Sequence, residues 1–226
     1  MQFVLFSCQK DKAMEGQGIQ LPLECNASEE FSIHYYLHLF AIDRDNRIAR
    51  HETFTSSHIH DNTLHAILPL GRYRLALVAN APEESIVIPE TGEALESLFL
   101  CLPHEENTNQ EANDISTALQ SVSITESKNT LPPIRLFRRT GVVLFSLHAI
   151  PEAISNLKLE LSFVPSSVSF SGSTTNTFGT ITKPVDHQGK AMIRTFPTKK
   201  GEATLSITYD EDNKSKRKII PFSEAI

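Results

Sequence analysis

Apolar and polar residues alternate along much of this chain. In "FSIHYYLHLFAI" (31–42), Phe31, Ile33, Tyr35, Leu37, Leu39 and Ala41 fall on one face at a period of two, which predicts a half-buried strand. "DRDN" (43–46) follows with turn chemistry, because Asp and Asn hydrogen-bond their own backbone and tolerate the left-handed region. A polar-rich strand over 47–55 completes a hairpin. In "TLHAILPLGRYRLALVAN" (63–80), Leu64, Ala66, Leu68 and Leu70 share one face, and Tyr73, Leu75, Leu77 and Ala79 share one face after Gly71. "PLG" supplies the bend between them, Gly71 being free to take a positive φ.

Between 81 and 133 the alternation weakens. "TGEALESLFLCL" (91–102) is expected to begin with a short helix capped by Thr91, and "PHEENTNQEANDIS" (103–116) reads as an exposed loop. "LPP" (131–133) stiffens the chain just before a new strand pattern and marks a domain boundary. Beyond it, Val143, Phe145, Leu147 and Ala149 share a face, as do Leu157, Leu159, Leu161 and Phe163. The Ser/Thr/Gly-rich stretch 166–184 reads as a long loop with strand fragments, "TKKGE" (198–202) as a turn, and "KIIPF" (218–222) as a last strand. The whole pattern is all-β. It predicts two antiparallel β-sandwich domains in tandem, 26–132 and 133–226, behind an N-terminal segment 1–25.

At 226 residues the chain is long enough to bury its own core, and 40% hydrophobic with 21% charged residues is the composition of a folded domain rather than a disordered one. The formal net charge of −6 offers no reason to expect a nucleic-acid partner. The one dense basic run, "KSKRK" (214–218), follows the acidic "DED" (210–212) and reads as a solvated hairpin. No stretch reaches the 18 or more apolar residues expected of a transmembrane helix. Cys8, Cys25 and Cys101 show no C-x-x-C spacing; Cys25 and Cys101 either pair in an oxidising compartment or stay two separate buried thiols.

Catalytic and metal chemistry find little support. His34 and His38 lie four apart, which on a strand separates them by about 13 Å, too far for one metal ion. His58 and His60 share a face without a Cys or carboxylate to complete a site, so these histidines read as solvent-facing. No serine sits in G-x-S-x-G, no phosphate-cradling glycine loop is present, and the carboxylates are scattered through loops. "NAS" (26–28) matches an N-glycosylation triplet, a three-residue signal only. No enzyme, metal, cofactor or small-molecule substrate is indicated.

Three stretches in order, "LHLFAIDRDNRI" (37–48), "LPLGRYRLALVAN" (68–80) and "IRLFRRTGVVLFSL" (134–147), resemble the FimB-like fimbrillin-associated anchor family, fimbrial proteins of Bacteroides-type bacteria. The resemblance implies two transthyretin-like sandwiches of Greek-key type. It also implies a fimbrium-associated surface lipoprotein that anchors or terminates a fimbrial polymer through strand exchange with other fimbrial subunits. The alternatives are a polymerising or tip subunit, or a surface carbohydrate- or host-binding sandwich; the latter wants an exposed aromatic platform, and zero Trp with four Tyr count against it. In that light "LFSC" (5–8) looks like a lipobox, with Ser7 before a Cys8 to be acylated and "QKDK" (9–12) as polar tether. Only seven residues precede Cys8, so Met1 is expected to lie inside a longer export signal, and the protein at the outer membrane on a lipid anchor.

Overall fold

The structure, a computed structural model, describes residues 17–25, 36–105, 108–127, 130–220 and 226. The chain runs through β1 (Gln17–Cys25), β2 (Tyr36–Ile42), β3 (Ile48–Thr55), β4 (Ile59–His60), β5 (Thr63–Leu68) and β6 (Gly71–Ala79). Its middle supplies β7 (Ile86–Val87), β8 (Phe99–Cys101), β9 (His104–Glu105), β10 (Thr108–Asn109) and β11 (Ser116–Ile124). Then come β12 (Ile134–Arg138), β13 (Gly141–Ser146), β14 (Ile154–Pro165), β15 (Ser167–Ser169), β16 (Phe178–Pro184), β17 (Lys190–Thr195), β18 (Thr204–Glu211) and β19 (Lys214–Ile220). Helical structure among the described residues is limited to single 3₁₀ turns. The one at Leu95–Ser97 has Ala94, not Thr91, as its N-cap.

The predicted all-β class holds. An eight-stranded sheet has the order β3-β2-β6-β11-β12-β1-β5-β4, and one core is lined by side chains drawn almost wholly from these strands. Ile19 and Leu21 of β1 meet Leu64 and Leu68 of β5, Leu37 and Leu39 of β2, and Leu75 and Leu77 of β6 in it. A single sheet can enclose a core from its own strands only by folding over on itself, which sheet twist allows. The opposite face of β2 and β6 lines a second core. There Phe40, Ile42, Ala76 and Val78 pack with Leu159, Leu161, Ile181, Ile193 and Phe196 from the later strands. The second core lies between a six-stranded sheet, β19-β18-β14-β16-β10-β9, and the two-stranded ribbon β13-β17, with β15-β8-β7 beside it.

Several expectations change. β2 and β6 are buried on both faces, so their alternation is not that of half-buried strands. β5 and β6, consecutive across the Gly71 bend, do not pair: β5 joins β1 and β4, whereas β6 joins β2 and β11. Alternation does not predict β11, because polar Gln120, Ser121 and Ser123 interrupt its apolar pattern, yet it pairs with β6 from Ser116↔Ala79 to Ile124↔Gly71. The Ser/Thr/Gly-rich stretch at 166–184, expected to be a long loop with strand fragments, contains β15 and a full strand, β16, which pairs with β14 along most of its length.

The expected boundary after 132 does not separate the strand pairing. β12 joins the first sheet beside β11 and β1, and residues 103–116, expected to be an exposed loop, tie the halves together. Asn109 pairs with Ile181, the Ala112 amide donates to the Arg194 carbonyl, and Lys183 pairs with Glu111. Ala112 and Ile115 are buried in the second core. The turn chemistry forms as its residues predict: Asp43 Oδ1 accepts the amides of Asp45 and Arg47 at 2.9 Å each, and Asn46 takes φ 62°. The solvated hairpin at 210–218 forms as β18–β19 around Asp212 and Asn213, both at positive φ.

Candidate strand-docking site

β1 occupies a slot. Residues Gln17 to Pro22 pair antiparallel with β5, and Leu23 to Cys25 pair parallel with β12. Pro22 stands where the partner changes, so its missing amide N–H interrupts neither ladder. Ile19, Leu21 and Leu23 point into the first core and are 2%, 0% and 7% exposed. Residues 17–25, placed in the N-terminal segment ahead of the first expected domain, therefore form a core strand. Side-chain burial holds this strand where its short, Pro-containing sequence gives little intrinsic preference.

The opposite situation holds at β13. Among the described residues its one ladder is with β17, from Gly141↔Thr195 to Ser146↔Lys190. Alternation sends Val143 into the second core and leaves Val142 and Leu144 outward, Leu144 at 78% exposed, beside Met192 of β17. β17 has its far side partly covered by the Ala112 to Arg194 hydrogen bond. An exposed apolar strand edge of this kind is a template for another strand. By contrast β19, an edge of the six-stranded sheet, carries Lys214, Lys216, Arg217 and Lys218, all exposed, and such charge blocks strand addition.

The other residues singled out from sequence fall in different places. Cys8 lies outside the described residues. Cys101 on β8 is a half-buried free thiol whose pKa burial pushes up, and the side chain of Cys25 is not described. His34 is likewise outside the described residues, but His38 is buried at 1% exposure, against the expectation that it faces solvent. Its alternation places it on the second-core face of β2. Nε2 lies 2.8 Å from the Ala81 carbonyl and Nδ1 3.2 Å from His51 Nε2, while the His51 ring stacks on Phe40 at 4.5 Å between centroids. Burial lowers the pKa of His38, and burial together with the His38 ring lowers that of His51 to about 4. The pair is thus neutral, one ring donating to the other. His58 turns to Thr55 and Phe54, and His60 to His65, so the two do not converge. Among the described residues no three His, Cys, Asp or Glu side chains are grouped to hold a metal ion.

The description of fimbrillin-A associated anchor proteins Mfa1 and Mfa2 matches this chain over residues 25–222. The chain belongs to that family. No curated protein matches it. Among solved structures it is similar to the fimbrial anchor protein Mfa2 of Porphyromonas gingivalis, at 15% identity and TM-score 0.55, over 90% of this chain and 82% of that one. A candidate polysaccharide-binding protein of Bacteroides thetaiotaomicron aligns at 15% identity and TM-score 0.68, over 89% of this chain and 78% of that one. A candidate adhesin of Bacteroides ovatus aligns at 14% identity and TM-score 0.63, over 96% of this chain and 88% of that one. These likenesses establish a shared fold. Family membership makes the chain a fimbria-associated protein of the cell surface. No helix among the described residues is long and apolar enough to cross a membrane.

Proposed function

We propose that this protein is a lipid-anchored surface component that ends a fimbrial polymer, acylated at Cys8 and holding a neighbouring subunit by strand addition at the β13 edge. The observation that carries this reading is the contrast between a slot filled by the chain's own β1 and an apolar β13 edge that is unpaired among the described residues. A subunit whose slot is self-filled has no vacancy there for an incoming strand, and this favours a terminal position over a repeating one. The sequence supports retention of β1: no Lys or Arg occurs between Lys12 and Arg44, so a protease cutting at basic residues cannot separate β1 from β2. The tandem transthyretin-like reading of the two layers belongs to the same proposal, as does the outer-membrane location.

Docking an extended segment on β13 would bury Val142 and Leu144 and add main-chain hydrogen bonds. Burying a side chain such as Leu144 contributes about 1.5–3 kcal/mol, roughly a 10- to 100-fold effect on Kd. The test has two arms. Palmitate labelling of the full-length protein in cells is expected to be lost in a Cys8→Ser variant; an unlabelled wild type would remove the lipid anchor. Peptides from the terminal strands of a co-expressed fimbrillin are expected to bind the purified protein and to lose affinity with Leu144→Lys. Binding unaffected by that substitution would remove β13 as the docking edge.

A further inference from the structure

The first sheet carries a second feature that strand docking does not use. Beyond the area covered by the second core, the outer face of β6 continues as Arg72 and Arg74, two residues apart and therefore on one side of the strand about 7 Å from each other. Ser121 and Ser123 of β11 lie directly opposite them in register, Ser121↔Arg74 and Ser123↔Arg72. Ile42 of β2 flanks Arg74 on the other side, and the turn after it brings in Arg44. These residues line an open concavity of about 580 Å³.

One of the arginines, Arg74, is held in place by a side-chain hydrogen bond. Asn46 donates its Nδ2 to both carboxylate oxygens of Glu96, at 2.7 and 2.9 Å, which turns its Oδ1 toward Arg74 Nη1 at 2.8 Å. Arg44 rides on the turn fixed by the Asp43 carboxylate. Among the described residues neither Arg44 nor Arg72 has a hydrogen-bond or ion-pair partner. In a chain of net charge −6, three guanidinium groups thus share one hollow with the single carboxylate of Asp43, a local excess of positive charge.

We propose that this hollow binds an acidic polysaccharide through its carboxylate or sulfate groups. Guanidinium forks match the planar, multi-acceptor geometry of such groups. Ser121 and Ser123 supply hydroxyls between the charges, and a polysaccharide likewise intersperses anionic groups with neutral hydroxyls. The hollow lies open on a strand face, a shape that accepts an internal stretch of a long chain rather than an enclosed small molecule. Recognition by charge requires no aromatic platform, in keeping with the absence of Trp. This site is independent of β13 and of Cys8.

The experiment measures binding of the purified full chain to oligogalacturonate, to dextran sulfate, to neutral dextran and to phosphatidylglycerol vesicles, at low and high salt. The expected result is saturable binding of one or both acidic glycans, about tenfold weaker for Arg72→Ser or Arg44→Ser and abolished in the double variant, with weakening at high salt. Preference between the first two ligands identifies carboxylate or sulfate as the recognised group. Arg44 and Arg72 are exposed, so both variants are expected to melt with the wild type, and an unchanged melt certifies the comparison. Failure to bind either acidic glycan, binding that survives the double variant, equal binding of neutral dextran, or stronger arginine-dependent binding to the vesicles would each overturn the assignment.

Discussion

Truncating Leu21 to alanine tests whether β1 is a core element in its slot. Leu21 is fully buried, pairs in register with Leu64, and packs in the first core. Removing a leucine side chain from such a site costs about 2–5 kcal/mol, the lost transfer energy plus a cavity that fixed strands on both sides cannot close. With a urea dependence near 2 kcal/mol per M, the unfolding midpoint should fall by about 1–2.5 M. Gln20→Ala is the matched control: its side chain faces out and, among the described residues, accepts only from Thr130 at 3.3 Å, so its midpoint should move by less than about 0.5 kcal/mol equivalent. Taken further, deleting residues 1–25 removes Ile19, Leu21 and Leu23 together, about 5–9 kcal/mol at roughly 1.5–3 kcal/mol each. That approaches the whole stability of an ordinary domain, about 5–15 kcal/mol. The truncated chain should therefore fail to fold alone and should recover when a peptide of residues 17–25 is added in trans. If Leu21→Ala melts with the Gln20→Ala control, β1 is not wedged in the sheet and the self-filled slot is refuted.

Three further outcomes are expected. Because the pKa of His51 is depressed to about 4 and that of His38 is also lowered, the unfolded chain takes up protons first on acidification. The contribution of this pair to stability should be constant above about pH 6.5 and be lost between 6.5 and about 4; urea melts of His51→Gln showing the same loss over that interval as wild type would contradict this. Gly189, at φ 78° in the turn before β17, has no room for a side chain, since a Cβ there overlaps the Leu147 carbonyl oxygen. Gly189→Ala should cost at least about 1–2 kcal/mol in a thermal or urea melt and loosen the β13–β17 ribbon, whereas an unchanged melt would show that the turn relaxes freely. Gly141 lies against Ile226, whose Cγ2 is 2.7 Å from where a Cβ would stand, so Gly141→Val should displace that residue and lower stability measurably, the variant melting like wild type being the adverse result.

Local chemistry fixed much of this protein in advance. Period-two alternation marked β2, β5, β6, β13 and β14, and the Asp/Asn turns at 43–46 and 210–213 sit where side-chain oxygens and left-handed residues make them. Ordered motifs pointed to the family. Partner choice was not legible, because alternation states which face is buried and not against what. The same pattern describes β5 and β6, which diverge into different ladders, and it left unseen that β2 and β6 serve two cores, which buried His38. Polar residues concealed β11, and Pro22 left β1 only a feeble strand pattern, since their places are set by neighbours on both sides rather than by intrinsic preference. The arginine hollow was invisible for the same reason: Arg44, Arg72, Arg74 and Ser121 are brought onto one surface only by the β2-β6-β11 register, a long-range pairing that no local stretch of sequence specifies.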